Sequence, residues 1–389
     1  MFSYLLLAIA AAGTVASTVF LVLALLGRSR YRREVTARVQ LPQPTRLPFV
    51  SVLKPVHGME PRLRENLESF FLIDYPQFEL IFCARTRDDA ALQIVSELRL
   101  KYQNISVTVL TSGDPPWPNA KVYSLAKMVE AAQYDILVIS DSDVEVTRDY
   151  LREVTRPFAD PEVGMTTCLY RGVPTGGLWS RMEALGMSVE MTSGVLIANL
   201  LEGMKFALGP TMAIRKDVLT KIGGVAAFGD YCSDDFIFGN LTAAAGYKVI
   251  LSEHVIDHIV LNRDWNASWK HQVRWMKSTR CSRPKGHFGT GLTFAMPFGI
   301  LGLVAGICIG QPLVGAGLLL WAIANRMIQS IAIGGGVVKD PRAVRDAWLY
   351  PLRDLLGFAF WKASYFSRVI EWRGEKYRLE DGGNMVKVK

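Results

Sequence analysis

The chain has 389 residues, half of them hydrophobic, a mean hydropathy of +0.19 and a formal charge of +8. It can bury a large core and still has apolar sequence left for a bilayer, which favours a membrane enzyme over a soluble one. The basic residues cluster beside the apolar runs, which suits an anionic bilayer surface and argues against nucleic acid; Cys83, Cys168, Cys232, Cys281 and Cys308 are scattered, which argues against a disulfide framework or a zinc site.

Residues 1–27 carry no charged side chain and, at ~1.5 Å per residue, are long enough to cross a bilayer. The basic residues Arg28, Arg30, Arg32 and Arg33 follow this run, so it reads as a membrane helix rather than a cleaved signal, with everything after residue 28 in the cytosol. Residues 28–48, with Pro42, Pro44 and Pro48, read as a linker into a cytosolic domain over 49–286.

Strand-like runs follow at Phe49–Lys54, Phe78–Cys83, Ile105–Leu110 and Ile136–Ser140, separated by helical patterns at Pro61–Leu72, Asp89–Tyr102 and Lys121–Gln133. This alternation predicts an α/β fold with a parallel, doubly wound sheet that binds a nucleotide at its carboxyl edge. There is no GxGxxG and no P-loop, which argues against dinucleotides and against ATP held in the Walker manner. The Lys54-Pro55-Val56-His57-Gly58 turn occupies that edge instead.

The fourth run is apolar without alternation and ends in Asp141-Ser142-Asp143. Two carboxylates one residue apart at a strand's carboxyl end can hold a divalent cation, and the bland alternative is a polar turn. Asp88-Asp89 and Asp234-Asp235 each open a helical run, where helix capping is the simpler role. Residues 178–208 are rich in Met and Leu and read as core helix, with a lipid-facing helix as the alternative. His254 and His258 read as structural.

Trp265, Trp269 and His271-Gln272-Val273-Arg274-Trp275 read either as an interface helix or as a site for an arginine beside a diphosphate. Between Lys285 and Arg326 no charged residue occurs, a run too long for one crossing and broken at Gly310-Gln311-Pro312. A membrane hairpin over 287–338 fits, with Arg326 facing protein. Residues 339–389 hold the apolar stretch Ala347–Phe366, read as interfacial or re-entrant, and a basic tail.

Asp89, Asp141, Asp235 and Arg274-Trp275, in this order and spacing, resemble the D, D, D, (Q/R)xxRW signature of ceramide glucosyltransferases and their bacterial relatives. Ser51-Val52-Leu53-Lys54-Pro55, Asp74-Tyr75-Pro76, Arg215-Lys216-Asp217-Val218-Leu219 and Trp372–Leu379 extend the likeness over about residues 50–380. Two departures stand out: His271 where Gln or Arg is usual, with Gln272 after it, and Asp143, which completes a DxD. The stretch around Thr167–Gly172 also resembles hopanoid glycosyltransferases. The resemblance implies a GT-A, Rossmann-like domain with a mixed sheet, one N-terminal and two or three C-terminal membrane helices, in a bacterial inner membrane. It further implies an inverting transfer of glucose from UDP-glucose to the primary hydroxyl of ceramide, a hopanoid N-acetylglucosaminyl transfer being the alternative and a silent sugar-nucleotide-binding scaffold the remoter one. On this resemblance Lys54, Pro55, His57, Asp89, Lys121 and Asp141 face the donor, and Asp141 and Asp143 hold Mn²⁺ or Mg²⁺. Asp235 is the base, Arg274 offsets charge on leaving UDP, and Asp234, His271, Gln272 and Trp275 belong to the acceptor side or the motif.

Overall fold

Apolar runs without polar alternation make the first half of an eight-stranded sheet, in a computed structural model that describes residues 1–40, 46–262, 264–372 and 374–388. The strands are β1 (Val50–Pro55), β2 (Phe78–Ala84), β3 (Ser106–Thr111), β4 (Ile136–Ser140), β5 (Val144–Glu145), β6 (Val163–Pro174), β7 (Thr211–Arg215) and β8 (Lys248–Val260). Their order is β3-β2-β1-β4-β7-β6-β8-β5. β3, β2, β1 and β4 run parallel, with Leu53 of β1 opposite Ile139 of β4. Beyond β4 the neighbours turn antiparallel, β7 against β4 and β6 against β7. The parallel sheet expected from strand and helix alternation is therefore mixed. The later strands come from a stretch without that alternation, and strands not joined by crossover helices are free to pair antiparallel.

Glu34–Val173, Glu202–Leu261 and Asn384–Lys389 form the unit that contains this sheet. The helix Ala120–Ala131 lays Val122, Leu125 and Met128 onto Leu53, Ile81, Leu137 and Ile139, all fully buried. Burial on that scale is worth roughly 1.5–3 kcal/mol per large side chain. Buried Asn119 caps the helix by accepting from Lys121 N at 3.1 Å and Val122 N at 3.3 Å, while its amide donates to Tyr231 O at 3.0 Å. That cap sets the position of Lys121 in the first turn.

Met1–Arg33, Pro174–Leu201 and Asn262–Gly383 form a helical unit. Its first helix, Phe2–Gln40, corrects the linker expectation for residues 28–40, because nothing between Arg28 and Gln40 breaks a helix and Pro42 is the first residue that would. The Pro42 and Pro44 part of that expectation falls outside the described residues. Arg30 donates to Leu200 O at 3.0 Å and Arg32 to Gly336 O at 2.8 Å, cations placed on late helical carbonyls.

Among the described residues, three stretches are long and apolar enough to cross a membrane: Phe2–Gln40, Gly177–Glu202 and Pro312–Gly335. The middle one contains a π-helical turn at Gly186–Met191. The helices Met296–Cys308 and Pro312–Gln329 fold back on each other across Gly310. Glycines let them touch: a Cβ at Gly306 would stand 2.8 Å from Gly315 Cα. Arg326, 2% exposed, pairs with Asp354 at 3.1 Å, and the other Asp354 oxygen accepts from Ala295 N and Met296 N where the helix Met296–Cys308 begins. A buried arginine is kept there because its partner carboxylate is also fixed by a helix N-terminus.

Gly306→Val should push the two helices apart at this contact. Forced overpacking costs about 1–3 kcal/mol, so the melting temperature in detergent should drop by several degrees. Gly317→Val, where nothing lies within 4 Å of the added carbon, should melt within about a degree or two of the parent.

Candidate active site

β1 and β4 are adjacent and parallel, but β1 leads to β2 on one side and β4 lies on the other, so the strand order reverses between them. Such a switch point leaves a crevice at the carboxyl ends. Asp141-Ser142-Asp143 leave β4 there. Lys54, fully buried, donates from Nζ to Asp141 O at 2.5 Å and lies 3.7 Å from the centre of the Phe70 ring. Asn66 Nδ2 donates to Ser142 O at 3.3 Å, and Ile259 N donates to Asp143 O at 2.8 Å. The turn is thus fixed through its backbone, and its two carboxylates are left for other partners.

Lys121 Nζ stands 2.6 Å from Asp141 Oδ1 and 3.7 Å from Asp234 Oδ2. Burial works against its charge, but the carboxylates of Asp141 and Asp234 outweigh this and raise its pKa. His258 Nε2 lies 3.2 Å from Asp143 Oδ2. Burial works to raise the Asp143 pKa, yet His258 holds it below the usual carboxylate range. Asp143 Oδ1 is buried and has no hydrogen-bond partner among the described residues. Asp141 moves the other way, raised by burial.

Asp235 sits one residue into the helix Asp234–Ala244, so Ser233, not an aspartate, occupies the capping position. Gly209 N donates to Asp235 Oδ2 at 2.8 Å and Phe236 N to Oδ1 at 2.8 Å. Burial, and then the Asp234 charge, push the Asp235 pKa up to about 6. A carboxyl held by backbone donors and titrating close to neutrality is suited to take a proton.

Asp89 does cap its helix, accepting from Ala91 N at 3.0 Å. The same oxygen accepts from Gly58 N at 2.9 Å, and Asp89 Oδ2 lies 3.4 Å from His57 Nδ1, so the cap also shapes the turn after Pro55. His57 is largely exposed, 58% at the side chain, whereas Lys54 has no free surface. Lys54, expected on the donor side, has its ammonium beneath the Asp141 turn, and burial lowers its pKa to about 7.

His271, Gln272, Arg274 and Trp275 lie on the helix Trp265–Ser282 of the helical unit. His271 Nδ1 is 2.7 Å from Glu183 Oε1, and its ring meets that of Trp275 at 4.6 Å between centroids. Gln272 is buried and accepts from Arg353 Nη2 at 2.9 Å. Arg274 lies over the Trp372 ring.

Sequence reasoning did not find Glu183, Arg353 or the role of His258. The alternation along β8 places His254, Ile256 and His258 on one face, a signal that could have linked His258 to the Asp143 turn. His254 instead bonds Glu153 at 2.5 Å, and with Asp149 these three offer ligand atoms within 4.8 Å of one another.

A Rossmann-like mixed sheet with paired carboxylates at its switch point defines a glycosyltransferase of the GT-A class. A solved structure of that class, a mannosyltransferase from Pyrobaculum calidifontis in complex with GDP-Man and Mn²⁺, superposes with a TM-score of 0.52 at 19% identity, covering 92% of this chain and 97% of its own. The chain belongs to glycosyl transferase family 21, whose model matches residues 6–385. Ceramide glucosyltransferase 1 of Caenorhabditis elegans is 27% identical over 354 residues, 88% of this chain and 74% of the relative. The ceramide glucosyltransferase of Komagataella phaffii is 34% identical over 132 residues, 33% of this chain and 26% of its own.

Lys121→Ala should leave Asp141 and Asp234 without their shared cation. Removing one partner of a buried pair costs about 3–5 kcal/mol, and the partial exposure of Asp141, 27% at the side chain, places this case at or below the lower end. Thermal melting should show that loss, with Lys121→Arg recovering most of it.

Proposed function

We propose that the protein is a membrane-integrated inverting glycosyltransferase that moves glucose from UDP-glucose to the primary hydroxyl of ceramide, giving a β-glycoside and UDP. The observation that carries the reading is Asp235: a carboxyl fixed by Gly209 N and Phe236 N, with its pKa raised to about 6, in the sheet unit that also holds Asp141 and Asp143. A protein that only bound a sugar nucleotide would need no such base. Ceramide as acceptor is supported by the named activity of the relatives that cover most of the chain.

In this mechanism Asp235 takes the proton of the acceptor hydroxyl as that oxygen attacks the anomeric carbon. The bond to UDP breaks on the opposite face, so the configuration inverts. Asp141 and Asp143 are the residues that would hold Mn²⁺ or Mg²⁺. The fit rests on two hard carboxylates one residue apart and on the buried Asp143 Oδ1, which has no hydrogen-bond partner among the described residues. When bound, such a cation offsets diphosphate charge. Lys121 holds Asp141 in place, Asp89 shapes the His57–Gly58 turn for the nucleoside, and the planar fork of Arg274 suits the leaving diphosphate. We place residues 28–286 on the cytosolic side of a bacterial inner membrane, since a sugar nucleotide is a cytosolic donor and the arginines follow the first apolar run.

Asp235→Asn should lower glucosylceramide formation by roughly 10²-fold or more and leave UDP affinity, measured by calorimetry, nearly unchanged. Near-parental transfer by this variant would remove the base assignment. Asp143→Ala should raise the Mn²⁺ concentration needed for half-maximal transfer, and excess chelator should abolish transfer by the parent. Turnover that persists in chelator would rule out the cation. Cysteines introduced for Arg32 and Asn104 should resist an impermeant thiol reagent in intact cells and react after lysis; labelling from outside would invert the orientation.

A further inference from the structure

The segment Gly58–Arg62, between β1 and the helix Leu63–Phe71, carries a local cost that its own sequence does not explain. Arg62 stands at the helix N-cap in the left-handed region, with φ 60° and ψ 21°, and its side chain makes no capping bond. Such a conformation persists only where its surroundings fix it. The fixing contacts all run to one stretch. Arg62 Nη2 pairs with Glu145 Oε2 at 2.5 Å, and two residues earlier Glu60 Oε2 accepts from Ser142 Oγ at 2.7 Å. From the helix, Asn66 Nδ2 donates to Ser142 O at 3.3 Å and Ser69 Oγ accepts from Val146 N at 3.2 Å. Residues 60–69 are therefore stitched along residues 142–146, which begin inside the Asp141-Ser142-Asp143 turn. At the other end of the segment Gly58 N is held by Asp89 Oδ1 at 2.9 Å, so Glu60 lies on a strap anchored on both sides. Pro61 biases Glu60 toward extended backbone, which keeps the strap out of the helix.

Most of these contacts hold backbone, or hold β5 beyond the turn. The Glu60 bond differs, because it takes the side chain that stands between the two carboxylates proposed to hold the cation. A third carboxylate beside Asp141 and Asp143 adds like charge, so the stability of the turn gives no reason for it. What it supplies is direction. A hydroxyl given to a carboxylate is a strong, charge-assisted contact, and this one restrains Ser142 and with it the angle between its two neighbours. Outer partners of this kind decide how well ligand groups meet a metal ion.

We propose that Glu60 is a positioning residue for the cation at Asp141 and Asp143, acting through the Ser142 hydroxyl and not through its own charge. The inference rests on the cation in the function proposed above and adds the residue that sets its turn. Arg62 and Glu145 secure the strap on which Glu60 is carried.

The test uses the full chain in detergent with UDP present. Bound Mn²⁺ is read from the loss of the free-ion electron paramagnetic resonance signal, corrected for Mn²⁺ held by UDP alone, and melting temperatures are taken in chelator. Glu60→Ala and Ser142→Ala should each weaken Mn²⁺ binding about tenfold, the lower end of what loss of an outer partner costs a metal site. The double variant should bind no worse than either single one, since both remove the same bond. Glu60→Gln keeps an acceptor oxygen without the charge and should stay within about threefold of the parent. Parental binding in either alanine variant overturns the proposal, so the test stands if only one of them folds. Glu60→Gln as weak as Glu60→Ala overturns it as well, because Glu60 would then act by charge, and so does an additive loss in the double variant. A melting temperature that drops in step with Mn²⁺ affinity across the variants also overturns it, since the bond would then hold the fold and not the turn. A parent that takes up no Mn²⁺ removes the cation from the proposed function, whereas a parent that binds it no better than the variants removes only the role of Glu60.

Discussion

Carboxylates crowded at the carboxyl end of a buried strand stay together only if cations stand among them. Lys54 and Lys121 meet that need in different ways. Lys54 lies fully buried under the turn, its ammonium on the Asp141 carbonyl and the Phe70 ring. Lys121 stands between the Asp141 and Asp234 side chains. Desolvating a charge costs several kcal/mol, and each lysine offsets that cost for its neighbours as they do for it. Since Lys54 comes from β1 and Lys121 from the helix Ala120–Ala131, the parallel order of the first strands decides the charge balance of the site.

The antiparallel half of the sheet supplies what those strands cannot. β8 brings His258 to Asp143 Oδ2, and the segment leading into β7 presents Gly209 N to Asp235. Across the two halves, four aspartates have separate characters. Asp143 is held low by His258, Asp235 is pushed toward neutrality, Asp141 is tied to Lys121, and Asp89 is spent on a helix end and the turn beside it. Separating the pKa values of nearby carboxylates is how one site can hold an anionic ligand set and a proton acceptor together.

The helical unit faces a similar electrostatic problem in apolar surroundings. Arg326 meets Asp354, Arg353 meets Glu190, and Glu183 collects three donors. Replacing such pairs with hydrocarbon would often stabilise a protein, so their presence indicates that position matters more than stability here. Asp354 shows the economy of the arrangement: one oxygen answers Arg326 and the other begins a helix.

Local pattern carried much of this protein. The apolar runs at β1 to β4, the charge-free first helix, the break at Gly310-Gln311-Pro312 and the Asp89 cap were all legible, because each depends on residues within a few positions of one another. The paired aspartates after β4 and the family signature were legible for the same reason. What tertiary structure decided was partnership. Nothing near Lys121 in the chain points to Asp234, nothing near His258 points to Asp143, and Gln272 reads as a motif residue until Arg353 is found against it. The antiparallel turn of the later strands and the run of the first helix as far as Gln40 also escaped the pattern. Strand pairing is chosen by contacts distant in sequence, and a helix runs until a residue stops it. Periodicity reports which face of an element is buried, whereas the identity of the group that meets a buried charge is set by how distant segments pack.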